Sequence, residues 1–365
     1  MRPVYFNGKF YAGGLNGVHR VADRLIREYD AILSAMPADA RPAATLFIPK
    51  QRQWGPELTT IRIVEEEGAH TQRWEQWRLP RLSRDGVLVN LCNLAPLRHP
   101  NQLLLIHDAQ FLFPDSGYPL KQRLGYRWLV PRMARASATV LTVSEYSRAM
   151  LDVLGVVPRE RTQVLYNGAD HILEQAADPQ ALARLGLTHG GYVLLFGSTK
   201  AYKNVRVVFD AMREPIPGLR LVVIGTDAAA FARAGLEPPA DTVFAGKVDD
   251  AVLRALYEGA HCLAFPSRTE GFGLPPVEAM LCGCPVVAAP AGAIPEVCRD
   301  AVAYADVDDA AGWREAIAGV REVSSCSMKL AVSNKRGADF SWNMAGIKLH
   351  AAVADMSRRR DTHDG

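Results

Sequence analysis

The feature that most constrains this chain is an alternation, run through twice, of short Val-, Ile- and Leu-rich stretches with longer amphipathic ones. A strand that is apolar at every position is buried on both faces. The architecture that buries many such strands covers a parallel sheet with helices. In the first round the predicted strands are Val4–Phe6, Ala44–Ile48, Ile61–Val64, Val87–Leu91, Leu103–Ile106, Thr139–Val143 and Thr162–Leu165. Apolar residues from Val18 to Leu33 fall on one stripe at the helical period, which predicts a helix there. The second round predicts strands at Tyr192–Phe196, Leu219–Ile224, Thr242–Ala245, His261–Phe265, Pro285–Ala288 and Ala301–Ala303, with helices at Val205–Met212, Asp249–Glu258 and Pro276–Leu281.

Between the rounds, Leu173–Gly191 is rich in Ala, Asp and Gly, contains Pro179 and has no strand period. At roughly 100–200 residues per domain, 365 residues divide into two α/β domains. The expected boundaries are 1–175, a linker at 176–190, and 191–340. Ser341 suits the N-cap of a C-terminal helix over 341–357, expected to pack back on the first domain, with a polar tail at 358–365.

Charge excludes some classes. Lys+Arg 42 against Asp+Glu 39 leaves +3, too little for a nucleic-acid-binding chain. Residues 1–189 carry 23 basic and 18 acidic side chains, and the remainder 19 and 21, so the first half is the basic one. The longest uncharged stretch, Ala279–Pro295, is broken by Gly283, Pro285, Pro290 and Gly292 and cannot form a membrane helix. The N-terminus turns polar too soon for a signal peptide. Six cysteines form no CxxC pair, and Cys282 and Cys284 read as buried thiols. A reduced, cytoplasmic protein is expected.

In open parallel sheets, ligands meet the loops that follow the strands. Gly13-Gly-Leu-Asn-Gly17 precedes the first helix and would let backbone amides approach an anion, although it is neither GxGxxG nor a Walker A loop. A surface turn explains it equally well. His107-Asp108 ends the strand Leu103–Ile106, with a capping Asp beside a structural His as the alternative. Ser144 reads as an N-cap. Gly197-Ser-Thr-Lys200-Ala-Tyr-Lys203-Asn204 suits a diphosphate: small residues expose amides and two lysines neutralise charge. The most specific segment is Glu270-Gly-Phe-Gly-Leu-Pro-Pro-Val-Glu278, in which one carboxylate ends a loop and another enters a helix about two residues in. Exposed acids at a helix start would not require the glycines and prolines between them. Asp306-x-Asp308 reads as a capping loop rather than a metal site, and Glu65-Glu-Glu67 as a solvated strand end.

With these residues in view, the chain resembles the retaining glycosyltransferase family 4. Glu270 to Glu278 is similar to its E-x7-E signature, 197–204 to its phosphate loop, Phe244-Ala-Gly246-Lys-Val248 to its base-binding turn and Tyr166-Asn-Gly168 to its inter-domain segment. The resemblance is dense over about 100–310 and weak over 35–90. It implies an α/β GT-B fold: two Rossmann-like domains whose parallel sheets face across a cleft, an acceptor domain first and a nucleotide-sugar donor domain second. It implies catalytic roles for Glu270 and His107. It implies donor contacts from Gly14, Gly17, Ser198, Lys200, Lys203, Gly246, Val248, Gly271, Phe272, Gly273, Leu274 and Glu278, with Glu278 on the ribose hydroxyls. Many members carry Arg where this chain has Ser198, and Lys200 is the candidate substitute. No metal or other cofactor is implied. The sugar is transferred with retention; if a protein nucleophile forms an intermediate, Glu270 is the candidate.

The Tyr-Lys-Asn form of the phosphate loop and Asn167-Gly-Ala-Asp-His171 most resemble bacterial mannosyltransferases of exopolysaccharide or O-antigen assembly. That implies GDP-mannose as donor, then UDP-sugars, and a glycan or polyprenyl-diphosphate-linked acceptor. Leu120–Ala136 interleaves Lys121, Arg123, Arg127, Arg132 and Arg135 with Leu124, Trp128, Leu129 and Met133 and has no acid, although Pro131 interrupts it. An anionic membrane at the inner cell face is therefore a candidate partner, with a core helix as the alternative. A nucleotide-sugar epimerase of the same architecture and a non-catalytic nucleotide-sugar-binding subunit are the competing readings.

Overall fold

A computed structural model describes residues 2–113, 119–321 and 326–358, the side chains of 326–331 excepted. The chain forms two units, one holding the described residues of 1–112, 118–168 and 342–365, the other those of 113–117 and 169–341. In the first, strands β1 (Val4–Asn7), β2 (Ala44–Pro49), β3 (Arg62–Glu66), β4 (Val87–Asn90), β5 (Gln102–Leu105), β6 (Thr139–Thr142) and β7 (Thr162–Val164) form a sheet in the order β3-β2-β1-β4-β5-β6-β7. Every pairing is parallel. β4, β5 and β6 are buried at every residue, as the apolar runs require. The helices of this part are α1 (Gly17–Ala35), α2 (Leu79–Leu82), α3 (Leu120–Ala136) and α4 (Glu145–Val153). Asn16 caps α1 by accepting from the His19 N–H at 3.0 Å, and Ser144 caps α4 through the Ser147 N–H at 2.9 Å.

In the second unit, β8 (Tyr192–Phe196), β9 (Arg220–Ile224), β10 (Val243–Gly246), β11 (Cys262–Phe265), β12 (Val286–Ala288) and β13 (Ala303–Tyr304) lie in the order β10-β9-β8-β11-β12-β13, again all parallel. The helices are α5 (Ala181–Arg184), α6 (Val205–Ala211), α7 (Ala228–Arg233), α8 (Asp250–Gly259), α9 (Leu274–Leu281), α10 (Ile294–Cys298), α11 (Ala310–Gly319) and α12 (Cys326–Ala338). Phe209, Phe231 and Trp313 pack with Val193, Leu195 and Val223 as one core. The last helix, α13 (Trp342–Arg358), returns to the first unit and packs on α1. Gly346 permits the contact, since a Cβ there would lie 2.5 Å from the Glu28 Cβ.

Several expectations need correction. The change of unit falls between Gly168 and Ala169, not at 176–190, and Leu173–Gly191 is packed into the second unit. Its backbone is satisfied there: Asp178 N–H donates to the Ala251 carbonyl at 3.0 Å, Gly190 N–H to that of Gly259 at 2.8 Å, and Arg254 donates to the carbonyls of Leu173 and Gln175. α9 begins at Leu274 because the two prolines after it have helical φ and no N–H to satisfy. Glu278 is thus in its second turn. Pro131 does not interrupt α3, whose last turns are held by buried Val130, Met133 and Ala134. A π-helical turn at Trp74–Arg78 leading into α2 has no counterpart in the apolar period. The tail beyond 358 lies outside the described residues.

Candidate active site

Both sheets reverse their strand order beside the first strand, between β1 and β4 and between β8 and β11. Loops leaving the carboxyl ends of such a strand pair diverge and leave a crevice. In the second unit those loops are 197–204 and 266–273, the two segments singled out by their sequence. They meet: Lys203 Nζ lies 2.6 Å from Glu270 Oε1, with the side chains 28% and 12% exposed. Beside the pair is a cavity of about 240 Å³ lined by Gly197, Ser198, Lys200, Lys203, Phe265 and Pro275. Ser198 Oγ accepts from the Lys200 N–H at 3.2 Å, which shapes the turn. The ammonium groups of Lys200 and Lys203 stand 5.8 and 5.3 Å from the Tyr202 ring centre.

Arg268, which the sequence did not single out, joins the two loops. Its N–H donates to the Tyr202 carbonyl at 2.8 Å, and its guanidinium to Asn204 Oδ1 at 3.2 Å and to the Asp308 carboxylate. Asp308 is therefore an anchor for Arg268, and its own N–H donates to Asp306 Oδ1 at 3.1 Å, as a capping loop would have it. Among the described residues no cluster of His, Cys, Asp and Glu could hold a metal. Gly292 supports Glu270 from behind. With φ +63° it is left-handed, and a Cβ would lie 2.4 Å from the Glu270 nitrogen.

Glu278 is buried at 5% exposure with both oxygens engaged. Tyr257 Oη donates to Oε2 at 3.0 Å, and His171 Nε2 lies 3.1 Å from Oε1. It is not an exposed acid at a helix start. Phe272 is 4% exposed and packs edge-on against Phe340 at 5.3 Å, so its ring is turned into the core. Gly273 caps α9 at φ +96°, while Leu274 is half-buried. Gly246 has φ +67° and its carbonyl accepts from the Gly225 N–H at 2.7 Å; Val248 is half-buried. Cys284 is buried and Cys282 half-buried, with burial pushing the Cys282 thiol up to about 12.

In the first unit, Gly14, in the loop before α1, and Gly17, the first residue of α1, are exposed. The Gly14 carbonyl lies 2.8 Å from His19 Nδ1, and Trp54 Nε1 donates to the Gly13 carbonyl at 2.8 Å. His107 follows β5 and is 5% exposed. Its Nε2 is 2.8 Å from the Leu91 carbonyl, which can only accept, so Nε2 carries the proton and Nδ1 is an acceptor. Asp108 caps the next turn through the Gln110 N–H at 3.0 Å. Burial drives the His107 imidazole down to about 4, and nearby His19 adds to this.

At pH 7 His107 is therefore neutral. An unfolded histidine protonates below about 6.5, so between 6.5 and 4 only the unfolded chain takes up the proton, and stability falls with acidity. The loss approaches on the order of 3 kcal/mol by pH 4. Denaturation at pH 7 and 4.5 measures it. The acid loss should shrink in His107→Asn, and an equal loss in the variant would place the protonation elsewhere.

Known proteins resemble the chain in sequence and in fold. Residues 190–322 match the family model described as glycosyl transferases group 1. The chain is 27% identical over 232 residues to the O-antigen chain mannosyltransferase RfbU of Salmonella typhimurium, covering 61% of this chain and 62% of that protein, less than two thirds of its length. It is 27% identical over 312 residues to D-inositol 3-phosphate glycosyltransferase of Mycobacterium avium, covering 80% and 70%. The structure of Anabaena Alr3699/HepE in complex with UDP-glucose superposes with a TM-score of 0.73 at 18% identity, over 97% of this chain and 100% of that one. The sucrose-phosphate synthase of Thermosynechococcus elongatus gives 0.71 at 17%, over 98% and 99%. Residues 190–322 thus match a glycosyltransferase group 1 domain, and the fold is the GT-B fold of the structural neighbours, consistent with the family 4 that the E-x7-E segment resembles.

Proposed function

We propose that this protein is a retaining hexosyltransferase that moves mannose from GDP-mannose onto a glycan or lipid-linked oligosaccharide. The observation that carries the reading is the Lys203–Glu270 pair at the β8/β11 reversal. It sets a cation for the departing diphosphate beside a carboxylate able to face the positive charge that grows on the sugar ring. Lys200 adds a second cation in place of the Arg that many members of the family carry where this chain has Ser198. Within the second unit, Glu278 faces the ribose, and Gly246 and Val248 the base. In this scheme the C1–O bond breaks toward the diphosphate, the acceptor oxygen bonds C1 on the same face as its proton passes to the departing diphosphate, and no metal or other cofactor is needed. The likeness to RfbU supports mannose, and the UDP-glucose bound by the Anabaena protein supports a nucleotide-sugar of some kind.

Donor consumption measured over GDP- and UDP-sugars, with and without added oligosaccharide, tests the reading. GDP-mannose should be turned over fastest, with mannose gained by the acceptor. An isomerised donor without transfer would point to an epimerase, and binding without turnover to a non-catalytic subunit.

Attachment to an anionic membrane belongs to the same reading. In α3, Leu120, Leu124 and Trp128 recur every four residues and are 67%, 59% and 54% exposed. Arg132 lies 4.0 Å over the Trp128 ring, and five cations with no acid share the helix. No helix among the described residues is long and apolar enough to cross a membrane. Co-sedimentation with phosphatidylglycerol vesicles should be lost in Leu124→Glu/Trp128→Glu.

A further inference from the structure

A groove in the first unit is used by no step of the transfer scheme. It follows the carboxyl end of β3, along the π-helical turn and α2. It has a volume of about 670 Å³, in the range of a site for a small saccharide. One wall is Glu67, Gly68 and Thr71, and the other carries Arg73, Trp77, Arg78 and Arg81.

The helical wall is anchored from below. Trp74 is 4% exposed and packs edge-on against Phe47 at 6.5 Å. Glu75, at 2%, accepts from Lys9 Nζ at 2.8 Å and Asn7 Nδ2 at 3.0 Å. The turn is thus rigid, yet Trp77 stands 59% exposed. Arg73, Trp77 and Arg81 recur every four residues and line the same groove, so one indole and two guanidinium groups share it. Arg78 is committed: it donates to both oxygens of Glu66, at 2.5 and 3.2 Å, and holds that carboxyl below the usual range. Glu66 is therefore not a solvated strand end. Arg73 and Arg81 make no hydrogen bond or ion pair among the described residues. The one carboxylate on the opposite wall, Glu67, is drawn to Lys50 at 3.3 Å.

We propose that this groove binds a phosphate-bearing saccharide, as the acceptor side of the transferase reading on which the assignment rests. Guanidinium forks match phosphate oxygens, and an anion held by them places its attached ring over the indole, where the apolar face of a sugar is covered. The groove opens at the carboxyl end of the sheet, the end that also carries Gly14 and His107. A single-stranded nucleic acid would need a longer basic track, and here the cations end at Arg81.

Calorimetry on the full chain, with mannose 6-phosphate, methyl mannoside and inorganic phosphate as probes, tests this. Mannose 6-phosphate should bind saturably and at least ~10-fold more tightly than either other probe. Arg73→Ala/Arg81→Ala and Trp77→Ala should each weaken it ~10-fold at unchanged melting temperature, as befits exposed side chains. Failure of the sugar phosphate to bind, equal binding of the neutral glycoside, or indifference to the arginine pair would overturn the assignment. So would groove variants that lose an oligonucleotide or phosphatidylglycerol vesicles instead. Sugar-phosphate binding without any transfer from the donor panel would leave the groove standing and remove the transferase reading. Transfer without sugar-phosphate binding would remove the groove alone.

Discussion

Lys203→Ala is expected to lower sugar transfer at least ~10²-fold, the loss typical of removing one preorganised electrostatic donor. The ammonium stands 2.6 Å from Glu270 and largely out of water, so nothing mobile replaces it. Its charge matters most when the diphosphate departs, because that is when negative charge accumulates on the leaving oxygen. The loss should therefore fall on kcat more than on KM. Lys203→Arg should recover part of it, since charge is kept while the point-like ammonium is exchanged for a planar fork. Glu270→Ala should cost a similar factor. Because the two groups touch, the double variant should be far less impaired than the product of the single losses. Steady-state kinetics of the four proteins decides the matter. Multiplicative losses would show two independent groups, and near-normal turnover in either single variant would remove that residue from the site.

Glu278→Ala is expected to act first on folding. The carboxylate is buried, and its removal leaves the buried Tyr257 Oη without its acceptor and takes away the carboxylate that His171 Nε2 faces at 3.1 Å. An orphaned buried donor costs roughly 1–3 kcal/mol, and the lost contact with His171 puts the total on the order of 3 kcal/mol. For a unit of this size that lowers the melting temperature by roughly 6–12 °C. Glu278→Gln keeps an oxygen for one donor and should retain part of the stability while still impairing nucleotide binding. Thermal melts with and without added GDP or UDP separate the two roles. A Glu278→Ala protein as stable as the parent, yet unable to bind nucleotide, would make the residue a ligand contact and nothing more.

The strands were legible because a parallel strand covered on both faces is apolar at every position, and β8 was found to the residue. The loops carrying Lys203 and Glu270 were legible because small residues crowd where a ligand or another backbone comes close. The partners of Glu278 were not. His171 and Tyr257 come from a turn and a helix distant in sequence from α9, and a buried Tyr or His has no local pattern to announce it. Arg268 looked like any surface arginine until the fold brought Asn204 and Asp308 to it. Leu173–Gly191 failed for a related reason: Ala, Asp and Gly favour a free connector locally, but hydrogen bonds from α8 override that preference. The π-helical turn breaks the very period by which helices are recognised.

Because α13 completes the first unit, residues 342–358 are needed by a body whose other parts were synthesised long before them. Trp342, Leu349, Val353 and Met356 are all buried there, so without them the first unit exposes a wide apolar face. During synthesis the second unit, contiguous over 169–341 apart from a short earlier piece, has all of those residues available first. The first unit must wait, partly assembled, until α13 has been made. A chaperone-binding interval and sensitivity to C-terminal truncation should therefore belong to the N-terminal half, where no mutation need be made.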